Sequence, residues 1–147
     1  MRRDPSAVGA DYALLCRAAL PDPAAKAAAW SAAVDQGGLS NSAMEFVGKG
    51  MRRVENLSLL EPYVQRYHDA IPVMGARYAF AIAEKFVKYF YPLDLASAQL
   101  RDTTRQWLAD HPDLHSGLVR LIHDELGAVE FAVVAQECER RQQQAAR

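Results

Sequence analysis

Apolar side chains recur at intervals of three and four along most of the chain, the spacing that sets one face of a helix against a core. The densest such stretch runs from Tyr63 to Tyr91 and breaks once, at Ile71-Pro72. In its first arm Leu60, Val64, Tyr67 and Ile71 share a face, with Gln65, Arg66 and Asp69 turned away. In its second arm Phe80, Ala83, Val87 and Phe90 form one apolar row, and Ala79, Ile82 and Phe86 the row beside it. Arg77, Glu84 and Lys88 make a narrow polar stripe, and Glu84 precedes Lys88 by four residues, the favourable order for an ion pair. Proline lacks the N–H that would continue a helix and disfavours the helical conformation in the residue before it. The pattern predicts two antiparallel helices that turn at Pro72.

The flanking segments carry helix signals of their own. Asp4-Pro5 offers an N-cap followed by proline at the first helical position, and Val8, Tyr12, Leu15 and Ala19 then fall at helical spacing up to Pro21. Asp22-Pro23 repeats the opening before AAKAAAWSAAVDQ, a strong helix former whose buried side is marked by Trp30 and Val34 and whose end is marked by Gly37-Gly38. Ser40 caps a short helix through Met44 and Val47 that the glycines at 48 and 50 should end. Ser58 with Glu61 forms a capping box ahead of the central hairpin. Further on, a helix from Ser97 to about Ala109 presents Leu100, Thr104, Trp107 and Leu108. Asp113 is the expected cap of a last helix, on which Leu118, Ile122, Leu126, Val129 and Val133 form one stripe.

No segment alternates with the period of two that a strand requires, so the predicted class is all-α with about seven helices. They fall into pairs at about residues 22–50, 58–91 and 97–140, each the length of a HEAT- or armadillo-type unit, and such units bury their apolar faces by stacking. No internal repeat is visible letter by letter. The expected organisation is one helical-hairpin solenoid domain over residues 1–147, with a polar, glutamine-rich end frayed from about 141.

Composition narrows the partners. The chain has 147 residues, half of them apolar, and a formal net charge of −1. Its arginine pairs, Arg2-Arg3, Arg52-Arg53 and Arg140-Arg141, are dispersed and do not make the clustered basic field that nucleic acid needs. No apolar run approaches the roughly 20 residues of a membrane span, and the start lacks a signal-peptide core. Cys16 and Cys138 are too few and too far apart for a zinc ribbon and read as free thiols. A cytoplasmic protein without nucleic-acid or membrane partners is the expectation.

Chemistry is sparse. His111-Pro-Asp-Leu-His115 spaces two histidines four apart, but a zinc-binding HExxH needs a continuous helix and a glutamate where Pro112 stands. The glutamate ligand which that class places further along falls at Val134. The Gly48-Lys49-Gly50 triplet lacks the length and the following hydroxyl residue of a phosphate loop. His68-Asp69 and His123-Asp124-Glu125 read as solvated helix faces, since neighbours in a helix point about 100° apart. No nucleophile–base constellation is present. The residues predict no catalytic centre, no metal site and no cofactor.

Three phrases together carry a resemblance: RAALPDPAAKAAAWSAA (17–33) with the following Leu39-Ser40-Asn41, LLEPYVQRYHDAIP (59–72), and WLADHPDLHSGLVRLIHDEL (107–126). They resemble the C-terminal, endoplasmic-reticulum-aminopeptidase-like domain of bacterial aminopeptidase N, a zinc metallopeptidase, over nearly the whole chain. The resemblance implies an α-helical solenoid that arches over a catalytic domain and contributes to peptide access and selection, the zinc site lying in an upstream domain. The sequence departs from the family after Gly50, where Met51-Arg52-Arg53-Val54 replaces an aromatic pair and a His-Pro-type turn. The chain also begins inside the family's solenoid, so its first helix is expected to expose an apolar face.

The function implied is that of a non-catalytic substrate-chamber domain, excised or separately encoded, whose partners are an aminopeptidase catalytic domain or a peptide. The alternative is a free-standing helical scaffold that binds a protein or peptide. For peptides with a free carboxylate, Arg77 and Arg120 are the candidate anchors, because the planar guanidinium matches a carboxylate through two hydrogen bonds.

Overall fold

The structure, a computed structural model, describes residues 6–146. Among these are seven α-helices and no strand, so the chain is all-α. It divides into two compact units, Met1–Pro92 and Leu93–Arg147.

In the first unit α1 spans Ala7–Ala18, with the Ser6 side chain accepting from the Gly9 amide; the expected cap at Asp4-Pro5 lies outside the described residues. Val8 and Tyr12 of this helix are exposed. Asp22 caps α2 (Pro23–Trp30), and the chain then widens into a π-helical turn, Ser31–Gln36. Gly37 and Gly38 follow with φ of 74° and 85°, the left-handed region that glycine enters without strain. The Ser40 hydroxyl accepts from Ala43 and starts α3 (Asn41–Arg52). A short 3₁₀ turn, Leu57–Leu59, precedes α4 (Tyr63–Arg77) and α5 (Phe80–Phe90).

By their contacts α1, α3 and α5 lie side by side, while α2 packs on α1 and α3, and α4 on α5. The core between α2, α4 and α5 is aromatic. Trp30 meets Tyr63, Phe86 and Phe90 at ring separations of 5.3, 5.9 and 6.1 Å, and Tyr67 stacks on Phe86 at 5.5 Å. The Tyr67 hydroxyl, itself buried, donates to the Val87 carbonyl at 2.8 Å, joining α4 to α5. Such ring pairs add about 0.5–1.5 kcal/mol each beyond the area they bury.

Several expectations fail here, each for a physical reason. Helix α4 does not turn at Pro72 but continues to Arg77. A proline in a helix interior costs about 3 kcal/mol. Burying Ile71 and Met74, both fully enclosed, contributes roughly 1.5–3 kcal/mol apiece and offsets that cost. The turn falls instead at Tyr78-Ala79, both in extended conformation. This shortens the second arm, so Ala79 precedes it and Phe80 is 42% exposed; Ala83, Phe86, Val87 and Phe90 are the buried set. Lys88 lies over the Tyr89 ring at 5.5 Å and makes no ion pair with Glu84.

Helix α3 runs through Gly48 and Gly50, which were expected to end it. Both glycines are buried, and their role is close approach. A Cβ on Gly48 would lie 2.6 Å from Cβ of Tyr89, and one on Gly50 would overlap the Leu15 carbonyl oxygen and sit 2.8 Å from Cβ of Ala18. The Ser58–Glu61 box does not form: Asn56 caps the 3₁₀ turn, and α4 starts after Pro62 without a side-chain cap. His68, read as solvated, is fully buried, with Nδ1 2.8 Å from the Val64 carbonyl oxygen and its ring edge-on to Tyr67. Burial lowers its pKa.

The second unit opens with a 3₁₀ turn, Leu93–Leu95, and an antiparallel pair, α6 (Ala98–Asp110) and α7 (Ser116–Ala145). Ser97 caps α6 through the Leu100 amide. Leu100, Thr104 and Trp107 are buried on α6, and Leu118, Ile122, Leu126, Val129 and Val133 on α7, as the stripe predicts. Arg105 holds Glu130 at 2.6 Å, and the Gln136 amide donates to the Ala96 carbonyl at 3.1 Å. His115 replaces the expected Asp113 as cap of α7: its Nδ1 accepts from the Gly117 amide. The helix reaches Ala145, through the glutamine-rich segment.

Candidate functional site

Close packing of α3 on α5 through Gly48 brings together a group of charged and aromatic side chains at the surface of the first unit. Glu45, one turn before Lys49 on α3, accepts from Lys49 at 2.5 Å and from Lys85 of α5 at 2.9 Å. The Lys49 hydrogen bond, then that of Lys85, holds the Glu45 carboxyl far below the usual range, at about 2. The same bonds raise both lysines. Tyr89 sits at the centre, with the ammonium groups of Lys49, Lys85 and Lys88 at 5.1, 5.5 and 5.5 Å from its ring. Lys49 also lies 5.7 Å from the Phe46 ring, which meets exposed Tyr12 of α1 edge-on at 5.0 Å.

Three ammonium groups thus surround one phenol ring, with Glu45 partly neutralising them. A carboxylate beside an apolar side chain is the ligand that such a surface suits: the ammonium groups attract the charge, and the rings of Tyr12, Phe46 and Tyr89 offer flat apolar area. The sequence pattern does not point to this group. Its local signals were the Glu45–Lys49 spacing of four and the adjacency of Lys88 and Tyr89, but only the glycine-mediated contact of α3 with α5 joins them.

The arginines singled out from the sequence lie elsewhere. Arg77 is the last residue of α4, not the start of the second arm. It is exposed, and its Nη1 donates to the carbonyls of Val34 and Asp35 at 3.3 Å each, closing the end of the π-helical turn. Arg120 is exposed in the second turn of α7, in the other unit.

The two histidines of the 111–115 segment serve the backbone and a ring. His111 stacks on Trp107 at 4.1 Å, with Nδ1 2.7 Å from the Trp107 carbonyl, and His115 caps α7. Among the described residues no three His, Cys, Asp or Glu side chains gather in a metal-binding group, and no helix is long and apolar enough to cross a membrane. Cys16 and Cys138 are free and exposed.

A further polar feature is structural. Lys26, in the alanine run of α2, is fully buried, and its ammonium donates to the carbonyls of Ala18 at 2.6 Å, Gly50 at 3.2 Å and Arg53 at 3.2 Å. These oxygens belong to the C-terminal ends of α1 and α3, where the helix dipoles are negative. Burial pushes the Lys26 pKa down.

The chain is 33% identical over 134 residues, 91% of its own length, to the aminopeptidase N of Streptomyces lividans, and spans 16% of that relative. The model of the family described as "ERAP1-like C-terminal domain" matches residues 1–130. With that match over most of an all-α chain, this protein belongs to the ERAP1-like C-terminal domain family.

Proposed function

We propose that the chain acts as a non-catalytic C-terminal domain of an aminopeptidase N-like metallopeptidase and contributes to the access and selection of peptides. The observation that carries this reading is the likeness of 91% of the chain to a segment making up 16% of an aminopeptidase N, in a sequence that contains no HExxH. In this reading the helices stack as a solenoid, the side-by-side row of α1, α3 and α5 being one of its layers, and the partner is the catalytic domain or its peptide. The two exposed free thiols fit a reducing, cytoplasmic compartment.

Carboxylate recognition at the peptide C-terminus would fall to the Lys49, Lys85 and Lys88 group around Tyr89, or to Arg77 or Arg120. Titration of short peptides with free and with amidated C-termini tests it. Binding should weaken several-fold on amidation and on substitution of the group that holds the carboxylate, in the series Lys49→Ala, Lys85→Ala, Arg77→Ala and Arg120→Ala. Affinity indifferent to amidation and to all four substitutions would refute carboxylate recognition.

A further inference from the structure

Helix α7 is apolar on two opposite sides. One side carries the buried stripe from Leu118 to Val133. On the other, Phe131 is 77% and Val134 58% exposed, and Gly127, Ala128, Ala135 and Cys138 are exposed around them. Gly127, Phe131, Val134 and Cys138 follow one another at spacings of four, three and four, the seam of a coiled coil, and Asp124 and Arg141 continue it at either end. Phe131 onward also lies past residue 130, where the family match stops. Phe131 and Val134 are the large apolar side chains exposed on this seam.

We propose that this seam pairs with the same seam of a second copy of the chain, the two α7 helices running antiparallel. Residue sizes and charges point to this occupant. With the twofold axis between Phe131 and Val134, each Phe131 meets Val134 of the second copy, and each Gly127 meets Cys138 of the second copy. A Cβ at Gly127 would touch nothing within 4 Å in the single chain, so the thiol side chain has room there. The same register sets Asp124 against Arg141 of the second copy, twice by symmetry. Both are exposed, and neither makes an ion pair within the described residues. A parallel pairing would instead bring Asp124 against Asp124 and Arg141 against Arg141, like charges in contact. Along one flank Glu130 is already held by Arg105, and Glu137 lies near Arg101, so the acidic residues there carry their own cations.

The seam is only a few layers long, at the small end of protein interfaces, so association should be weak and should be followed to on the order of hundreds of micromolar. Sedimentation of the intact chain should show a mass rising with concentration toward twice 16.3 kDa. Phe131→Asp should remain monomeric at the same loading while keeping the wild-type helicity and urea midpoint, since the side chain it replaces is exposed. In a Cys16→Ser background, Gly127→Cys should give an interchain disulfide with Cys138 on mild oxidation, lost when Cys138→Ser is added. Cys16→Ser alone should cross-link far less. A chain that stays monomeric throughout, or a dimer indifferent to Phe131→Asp, would overturn the proposal. Cross-linking of Cys16→Ser alone as efficient as that of the Gly127→Cys variant would overturn the antiparallel register.

Discussion

The Lys26 ammonium donates to the Ala18 carbonyl at 2.6 Å, so a charged side chain with no exposed surface joins the end of α1 to α2. Because the same nitrogen reaches Gly50 and Arg53, one residue gathers three carbonyls that face the end of a helix or the turn beyond it. The geometry, a point donor with three N–H bonds, is one that lysine supplies and that methionine or a forked guanidinium does not.

Lys26→Met keeps the apolar stem but leaves buried acceptors without a donor. It should destabilise the fold by about 2–4 kcal/mol, since each orphaned buried group costs about 1–3 kcal/mol. Lys26→Arg should rescue little. Urea midpoints measure both, and a methionine variant as stable as the wild type would show that the carbonyls find other partners.

Gly50 and Gly127 are both helical glycines, and alanine should affect them in opposite directions. At Gly50 the added methyl runs into the Leu15 carbonyl and Ala18, so Gly50→Ala should cost about 1–3 kcal/mol or more as α1 is forced off α3. At Gly127 nothing lies within 4 Å, and the better helix propensity of alanine should raise stability by about 0.5–1 kcal/mol at low protein concentration. Thermal unfolding of the two variants should move in opposite senses.

What the sequence revealed follows from which forces are local. The stripe on α7 and the Ser40 cap were legible because periodicity and side-chain caps act within a few residues. Pro72 misled because burial of Ile71 and Met74 outweighs the preference of one residue for a turn. Gly48 and Gly50 misled because a glycine that ends a helix and one that admits a neighbouring helix look alike in a sequence. Lys26 did leave a signal: it stands four residues before Trp30, on the buried face of α2. The three lysines around Tyr89 left none that could be assembled, since Lys49 and Lys85 come from helices whose contact only the fold defines.

Acid should weaken the α3–α5 junction through Glu45. Its carboxyl falls from 4.5 to about 2 in the folded state, so its stabilisation is complete above the unfolded value and is lost as pH falls through about 2. With both lysines partly in solvent, the contribution near neutral pH is about 1–2 kcal/mol. Glu45→Gln should lose that amount at neutral pH. The gap between variant and wild type should shrink as pH falls from 4.5 toward 2. A gap independent of pH would show that the ion pairs do not stabilise the junction.

Under the proposed function this helical domain serves peptide access and selection with no catalytic centre of its own. The most direct test measures zinc by plasma emission and hydrolysis of an aminoacyl anilide on the same purified sample of the intact chain. The sample should carry no stoichiometric zinc and show no hydrolysis above background, because the sequence has neither HExxH nor the glutamate that would complete such a site. About one zinc per chain, together with turnover that a chelator abolishes, would contradict it.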